Sequence, residues 1–346
     1  MRNRDTISRR RFIATGTAAA TAAIASPSIL RAQAKEIFVG GPASPGLVEI
    51  LFPVIEKKHG FKVLFEGTNS LVNLQKIQAN KDRPTMTVTM MDDPVLILAE
   101  REKLIEKLPA DVTNLTDVLA DAKPRGAMWA NWCQPMCSAS HNTKSLPNGL
   151  ASYADAWDKK YKEKIVMISM RITQAIAPLV AAASLATGKP LKDSMKEWQA
   201  GFEKLKELKP NILQVSAQSP QLQQLLESGE VDLYLSPDSR TTLFRKAQGA
   251  PVEQTYPKEG VFAMPAGVAL VKGGPNQDLG VKFINEMLAP DTQALIAKTF
   301  YSAPTNSKTV LADGLKFPEL VVLDWEYFTD NRAVWIERFE KEIASR

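Results

Sequence analysis

The sequence contains few of the residues from which most active sites and metal centres are built. Its 346 residues include two histidines, His59 and His141, and two cysteines. The motifs G-x-S-x-G, H-E-x-x-H, G-x-x-x-x-G-K-[ST] and C-x-x-C are all absent, so the sequence lacks the signatures of the common hydrolases, zinc proteases, P-loop enzymes and thiol oxidoreductases. A two-carboxylate glycosidase leaves no local motif and stays open as the least favoured alternative. We expect a protein that is not an enzyme and has no metal and no cofactor.

Long apolar segments are also lacking. A membrane-spanning helix needs about 20 apolar residues, but the longest apolar stretches, 14–25 and 175–186, are shorter, and the second contains a proline. The first stretch follows the arginines at 9–11 and precedes the small-residue sequence AQA at 32–34. A basic segment, a short apolar segment and such a cleavage site are typical of an export signal. We predict that residues 1–34 are a cleaved twin-arginine-type signal peptide rather than a membrane anchor, and that the protein is periplasmic.

The excess of positive charge belongs to that N-terminal segment. The chain has 43 basic and 38 acidic residues, a formal net charge of +5. Residues 1–34 contain six arginines and one aspartate, so the rest of the chain has 37 basic and 37 acidic residues and no net charge. A nucleic-acid or membrane-surface partner would require a clustered basic face. We therefore expect no nucleic-acid partner.

Short apolar runs alternate with helical patterns along the rest of the chain. The predicted strands are residues 37–39, 63–65, 86–90, 165–168, 212–215 and 231–235, and the predicted helices include 174–186 and 193–208. Pro53 should bend the first helix, and Ser70 and Asp93 (or its neighbour) are expected as helix caps. This alternation implies sheets covered by helices, with ligands beyond the carboxyl ends of the strands. About 310 residues exceed what one core usually organises, so we expect two domains.

The two cysteines, Cys133 and Cys137, are separated by four positions. In an extended strand this separation exceeds the limit of roughly 7 Å for a disulfide, so a bond requires a turn, for which Pro135 is suggestive. The environment of an exported protein permits disulfides. A disulfide and a pair of buried free thiols both stay open.

Several segments occur in an order that resembles one family of exported proteins. They are TKSL (143–146), SYADAWD (152–158), PKEG (257–260), GVALVK (267–272), FINEML (283–288), APTN (303–306) and WIERFEKE (335–342). Together they resemble the family 1 bacterial extracellular solute-binding proteins, and among these the spermidine/putrescine-like receptors. The resemblance implies an α/β fold of the type II periplasmic binding proteins, in which two lobes, each a mixed sheet flanked by helices, are joined by two crossover strands.

The same resemblance implies a function. A monomeric receptor of this kind captures a small-molecule solute, closes around it by a hinge and delivers it to an ABC importer permease in the inner membrane. A ligand sensor of the same fold, which signals to a membrane partner, also works by lobe closure and stays open as an alternative. An exported hydrolase is less favoured because the motifs are missing.

The resemblance places lobe one at residues 35–131 plus 267–320, and lobe two at 132–266 plus 321–346, with the ligand in the cleft between them. The residues expected at the ligand are Gly41, Ser44, Thr68, Asn69, Asp92 and Asp93 from lobe one, Asn131, Trp132 and Gln134 from the first crossover, Arg171, Ser236, Asp238 and Arg240 from lobe two, and Met264 and Tyr301 as residues that close the cleft.

Several of these residues have a structural role as an alternative. Asn69 lies where a turn or helix cap is expected, and Asp93 could also cap a helix. Trp132 could pack in a core instead of stacking on a ligand. Arg171 and Arg240 could form exposed ion pairs, which contribute little to stability.

The resemblance and the residues differ on the charge of the ligand. Polyamine receptors need a carboxylate for each ammonium, because a desolvated cation is costly unless it is paired. Such receptors carry an acidic residue shortly after an aromatic one, where this chain has FAMPA at 262–266. We therefore expect a small nitrogen-bearing solute with a cationic end near Asp93 and Trp132 and an anionic end toward Arg240, rather than a long polyamine.

Overall fold

The chain folds into two β-sheets, each built from strands that are distant in sequence. The computed structural model describes residues 35–44 and 46–345, and the predicted signal peptide lies outside the described residues. The strands are β1 (Glu36–Pro42), β2 (Lys62–Thr68), β3 (Val88–Asp92), β4 (Ile105–Glu106), β5 (Ala130–Cys137), β6 (Ser140–Asn142), β7 (Ile165–Ile168), β8 (Ile212–Ser216), β9 (Leu233–Leu235), β10 (Val252–Gln254), β11 (Val261–Ala263), β12 (Ala266–Val271), β13 (Ser302–Ala303) and β14 (Leu320–Val321).

Helices connect the strands and pack against the sheets. They are α1 (Phe52–His59), α2 (Ser70–Ala79), α3 (Asp93–Arg101), α4 (Pro124–Ala127), α5 (Ile176–Thr187), α6 (Trp198–Leu208), α7 (Ser219–Ser228), α8 (Ser239–Ala247), α9 (Gln277–Met287), α10 (Pro290–Phe300) and α11 (Trp325–Phe339). A π-helical turn, Leu47–Leu51, directly precedes α1. Pro53 lies in the first turn of α1, where its missing N–H costs no hydrogen bond. The proline therefore lies where the π-helical turn changes to an α-helix.

The first sheet has the strand order β14-β11-β5-β12-β3-β1-β2, with β13 paired to β5 and β4 paired to β12. Strand β1 is parallel to β2 and β3, whereas β12 is antiparallel to β3 and β5. The parallel strands β1, β2 and β3 end at Pro42, Thr68 and Asp92. Their carboxyl ends therefore lie at one edge of the sheet, where the loops that follow can meet.

The second sheet has the strand order β10-β6-β9-β7-β8 and is also mixed. Strand β7 is parallel to β8 and β9, and β6 is antiparallel to β9 and β10. The chain passes to this sheet between β5 and β6, and returns to the first sheet between β10 and β11. Two mixed sheets joined by two passages are the predicted architecture. The described residues form one compact unit, and the lobe bounds stay predictions.

Each sheet has buried apolar residues against it. Val39, Val88 and Phe283 belong to the core beside the first sheet. Helix α5 is buried from Ile176 to Ser184 in the core that includes the second sheet, as its apolar sequence predicted. Within residues 35–44 and 46–345, no helix combines the length and the hydropathy needed to cross a membrane.

Helix α11 contacts elements that follow strands of both sheets. It packs against α3, and Arg101 of α3 pairs with Glu326 at 2.9 Å and with Asp330 at 2.8 Å. Toward its other end, the ring of Trp335 lies 6.0 Å from that of Trp198 in α6. The helix therefore links the two halves of the molecule.

The starts of two helices differ from the predicted ones. Asn69, not Ser70, caps α2, and its side chain accepts a hydrogen bond of 3.0 Å from Val72 N. Ser70 instead accepts one of 3.1 Å from Asp92 N. Asp92 is the residue before α3, but its side chain makes no capping bond, and Asp93 is turned into the interior. The predicted cap at Ser70 is wrong by one residue, because the side-chain oxygen of Asn69 accepts the hydrogen bond from Val72 N that a capping residue would accept.

Candidate functional site

Polar side chains from both sheets meet where the parallel strands end. Asp92 is the last residue of β3 in the first sheet, whereas Gln174 and Asp238 follow β7 and β9 in the second. The charge of Asp92 helps to raise the pKa of Arg240, so residues from the two sheets lie close together. We define the candidate site by its five residues, which are Asp92, Gln174, Asp238, Arg240 and Arg332.

The loop after β9 is held firmly against β5. Asp238 forms an isolated β-bridge with Cys137, and Met136 N donates a hydrogen bond of 3.0 Å to Ser239 Oγ. Ser236, the first residue of the loop, has a φ of 66°, a conformation that is uncommon for residues other than glycine. Such strain persists only where the surroundings fix it, so the loop presents its side chains rigidly.

Asp238 and Arg240 form a buried ion pair in this loop. Arg240 Nη2 lies 2.6 Å from Asp238 Oδ2, and the side chains are 11% and 5% exposed. Asp238 Oδ2 also accepts a hydrogen bond of 3.0 Å from Gln174 Nε2, and its Oδ1 accepts one of 3.3 Å from Thr241 N. Burial raises the pKa of Asp238, but Arg240 and these hydrogen bonds outweigh burial, so the pKa lies below its ordinary value. Both oxygens of Asp238 are therefore engaged by the protein.

Asp93 is likewise engaged by protein donors. Its Oδ1 accepts a hydrogen bond of 2.8 Å from Trp129 Nε1, and its Oδ2 accepts one of 3.2 Å from Asn131 Nδ2. The residue is 4% exposed, and burial raises its pKa to about 7 against the effect of the two hydrogen bonds. Asp93 thus ties α3 to β5 from inside the first lobe.

Asp92 differs from Asp93 because its carboxylate has no hydrogen-bond or ion-pair partner among the described residues. It is half-buried, and its charge acts on Asp93, Arg240 and Arg332. A half-buried carboxylate near two arginines is available to a cationic group of a ligand.

Arg332 enters the site from α11 and was not predicted. It is 6% exposed, and its Nη2 donates a hydrogen bond of 2.9 Å to the carbonyl oxygen of Arg171. Its Nε and Nη1 are buried and have no hydrogen-bond partner among the residues that the structure describes. Its guanidinium carbon lies 5.4 Å from the ring centroid of Phe328. Burial lowers the pKa of Arg332, and the charge of Asp92 opposes that shift.

Trp132 and the two cysteines lie in the interior. Trp132 is 1% exposed, and its ring packs edge-on to that of Phe300 at 5.9 Å. It is a core residue here and does not form an exposed stacking surface. Cys133 and Cys137 are buried free thiols, and burial raises the pKa of Cys133 to about 12. Of the two alternatives left open by the sequence, the structure has the free thiols.

The remaining predicted residues divide by exposure. Gly41, Asn131, Gln134, Ser236 and Met264 are buried, whereas Ser44, Thr68 and Tyr301 are half-buried and Asn69 and Arg171 are exposed. Arg171 Nε lies 3.3 Å from Glu340 Oε1, so this side chain pairs with the C-terminal turn instead of joining the site. The structure therefore brings together Asp92, Asp238 and Arg240 from the predicted set, and adds Gln174 and Arg332.

A sequence signal for Arg332 exists in α11. Phe328, Arg332, Trp335 and Phe339 recur at helical spacing, and all four are buried. An arginine on an otherwise aromatic face predicts a buried charge with a specific role. No such signal marks Gln174. Within the described part of the chain, no group of three His, Cys, Asp or Glu residues could hold a metal ion.

Two mixed α/β sheets, joined by two passages and with polar residues of both meeting at their strand ends, define a two-lobed solute-binding protein. The family described as bacterial extracellular solute-binding protein matches residues 54–320. The chain belongs to this family.

Individual relatives share sequence similarity with this chain over more than half of its length. A Salmonella typhimurium periplasmic protein provisionally named for binding 2-aminoethylphosphonate is 23% identical over 270 residues, which cover 77% of this chain and 76% of that protein. The spermidine/putrescine-binding periplasmic protein of the same organism is 27% identical over 212 residues, which cover 58% of this chain and 59% of that protein. A periplasmic binding protein from Actinobacillus pleuropneumoniae, solved with exogenous fructose-6-phosphate bound, has a TM-score of 0.74 at 21% identity and covers 89% of this chain and 98% of that chain.

These findings confirm the predicted family, the type II α/β architecture and the class of solute-binding receptor. The structural likeness, at this identity, shows the fold alone. The proteins of this family are extracellular and bind solutes.

Proposed function

We propose that this chain is the periplasmic receptor of an ABC importer, which captures a small nitrogen-bearing solute between its two lobes and delivers it to the permease. The observation that carries the proposal is the uncommitted carboxylate of Asp92 at the end of β3. Its charge acts on Arg240 in the second sheet, and among the described residues its carboxylate makes no hydrogen bond and no ion pair. An ammonium group of a solute is the partner that such a carboxylate lacks.

Asp92, and not Asp93, is the proposed cation contact. Asp93 already accepts hydrogen bonds with both oxygens, so a ligand ammonium would have to displace Trp129 or Asn131. Trp132 contributes to the shape of the first lobe from its core. The relatives named for 2-aminoethylphosphonate and for spermidine/putrescine support an amine, because both names describe solutes with an amino group.

Closure of the two lobes around the solute would exclude water from the charged contacts and strengthen them. The proposed hinges are the two passages, β5 to β6 and β10 to β11. Helices α8 and α10, which flank different sheets, are in contact, so the two halves can meet. The protein binds and releases its solute unchanged, acts as a monomer and needs no cofactor.

Export of the chain can be measured separately from solute binding. Residues 1–34 would direct the folded precursor through the twin-arginine route, with Arg9 and Arg10 as the recognition pair. Replacement of both arginines by lysine should leave the precursor in the cytoplasm. Normal export of that variant would refute the route and leave the receptor proposal standing.

The receptor proposal is tested by a thermal-shift screen of the exported protein against amines, amino acids, aminophosphonates, organic acids and sugar phosphates. A true solute at a hundred times its Kd adds about 2.7 kcal/mol of stability and raises the Tm. Small-angle scattering of the stabilised complex should show a smaller radius of gyration than that of the free protein. Stabilisation by sugar phosphates or organic acids alone would contradict the nitrogen-bearing solute, and an unchanged radius at saturation would contradict closure.

A further inference from the structure

Arg332 is a buried cation without a carboxylate partner in the described part of the chain. Arg240 is also largely buried, but it has Asp238 at 2.6 Å. Arg332 has one carbonyl oxygen, that of Arg171, and the ring of Phe328. Within residues 35–44 and 46–345, its Nε and Nη1 have no hydrogen-bond acceptor.

This arrangement is costly for the folded protein. A buried donor left without an acceptor destabilises the folded state, and a buried charge without a counter-ion destabilises it more. A ring face and a single carbonyl oxygen offset part of that cost. Buried polar groups in folded proteins are nearly always hydrogen-bonded. An unsatisfied buried arginine on a helix that is otherwise well packed is therefore typical of a functional site.

The position of Arg332 supports a ligand role over a purely structural one. Its bond to the Arg171 carbonyl oxygen fixes it at the loop after β7, in the second sheet. Helix α11 also packs on α3, where Thr329 Oγ1 lies 3.3 Å from the carbonyl oxygen of Pro94. Arg332 thus lies between the loop after β7 and helix α3, which directly follows β3, and within electrostatic range of Asp92.

We infer that Arg332 binds an anionic end of the solute through its two unpaired N–H groups, while Asp92 binds the ammonium end. The inference rests on the proposed function and narrows it to a class of solute: a short zwitterion that carries a carboxylate, phosphonate or phosphate at one end and an amine at the other. Guanidinium groups suit these anions because their planar donors match the oxygen geometry.

The charge of the site agrees with this class. Asp92 and Asp238 carry two negative charges, and Arg240 and Arg332 carry two positive ones, so the four side chains are neutral together. A zwitterion adds one charge of each sign and meets an opposite charge at each end. A diamine or longer polyamine would bring a second ammonium group toward a buried guanidinium, and such a like-charge contact is unfavourable.

Calorimetry with three probes of similar size tests the inference: 4-aminobutyrate, 2-aminoethylphosphonate and 1,4-diaminobutane. The wild-type protein should bind at least one of the two anion-bearing probes more tightly than the diamine. Arg332→Gln should weaken that binding on the order of 30-fold or more, because truncating one partner of a buried charged contact leaves the other unpaired. Arg332→Lys should recover part of the loss, since it keeps the charge but not the planar donor set.

Arg338→Gln is the matched control, because Arg338 lies on the same helix but pairs with Glu203 and Glu342 at 2.6 and 2.8 Å. Its affinity for the probe should equal that of the wild type. The Tm of the solute-free protein gives a second readout. Arg332→Met should leave this Tm unchanged or raise it, because it removes an unpaired buried charge.

The outcomes separate the two proposals. Binding of the anion-bearing probe by Arg332→Gln with wild-type affinity, or a preference of the wild type for the diamine, would overturn the inference and leave the receptor of a nitrogen-bearing solute intact. A lower Tm of Arg332→Met with unchanged affinity would likewise make Arg332 a structural residue. Failure of the wild type to bind any of the three probes would count against both.

Discussion

Arg240 donates a hydrogen bond of 2.6 Å from Nη2 to Oδ2 of Asp238, and the two side chains are largely buried. Removing one member of such a pair leaves the other as an uncompensated buried charge. Arg240→Met should therefore lower the free energy of unfolding of the solute-free protein by about 3–5 kcal/mol.

Chemical denaturation measures this loss, and Lys308→Met is the control. Lys308 also forms an ion pair, at 2.9 Å to Asp117, but its side chain is 67% exposed. Exposed pairs contribute at most about 1 kcal/mol. Equal losses in the two variants would mean that burial of the Arg240–Asp238 pair has no consequence for stability.

Asp93 should make stability depend on pH near neutrality. Burial raises its pKa to about 7 in the folded protein, above the value of about 3.9 for an unperturbed aspartate. The folded state therefore binds this proton more tightly than the unfolded state. The stabilisation is fully present below about pH 4 and is lost as the pH rises through 7, by on the order of 1 kcal/mol per pH unit.

Asp93→Asn is the variant that isolates this effect. The new amide can still accept a hydrogen bond from Trp129 Nε1. It can also donate one to Asn131 Oδ1 once the Asn131 amide reorients, because this oxygen is buried without a partner in the described part of the wild-type chain. Its unfolding free energy should vary less between pH 5 and 8 than that of the wild type, which denaturant titration at several pH values measures. Parallel pH profiles of the two proteins would contradict the raised pKa of Asp93.

Gly267 is required by close packing at the centre of the first sheet. A Cβ at this position would lie 2.3 Å from Leu96 Cδ1 and 2.6 Å from Trp129 Cδ1. Trp129 cannot move aside without losing its bond to Asp93. Gly267→Ala should therefore destabilise the protein by about 1–3 kcal/mol.

A double-mutant cycle with Leu96→Ala separates this clash from any change in backbone freedom. Removing the Leu96 side chain opens the nearer of the two contacts, so the double variant should be less destabilised than the sum of the single variants. Strict additivity in thermal unfolding would contradict the packing explanation.

Cys133 and Cys137 should be reduced and unreactive in the folded protein. The thiolate is the reactive form, and burial raises the pKa of Cys133 to about 12 and that of Cys137 well above its ordinary value. A thiol reagent should label neither residue in the native protein and both in denaturant. No labelling in denaturant would reveal a disulfide.

The sequence was sufficient to predict the alternation of strands and helices and the class of protein. The helix expected at 174–186 is α5, because a long apolar run of that composition is buried in any packing. The strand expected at 86–90 is β3, two residues later, because the alternating residues continue through Met90 to Asp92. The helix expected at 193–208 begins at Trp198, after 3-10 turns that periodicity does not distinguish from a helix.

The assignment of individual site residues depended on tertiary contacts. Asp92 and Asp93 are adjacent in sequence, but their roles differ because of Trp129. Its indole N–H donates a hydrogen bond to the buried carboxylate of Asp93 and none to Asp92. Arg332 is far from Asp92 in sequence, and the packing of α11 on α3 brings it within electrostatic range of Asp92. No local pattern encodes either arrangement.

The most direct test of the proposed site is the affinity of Asp92→Asn for the solute that the screen identifies. The variant keeps the size of the side chain and removes its charge, while Asp313→Asn makes the same change at an exposed position. Isothermal titration calorimetry should show a loss of tens-fold or more for Asp92→Asn, equivalent to about 2–5 kcal/mol, and no loss for Asp313→Asn. Wild-type affinity of Asp92→Asn would contradict the proposal that the solute is held between the lobes by this carboxylate.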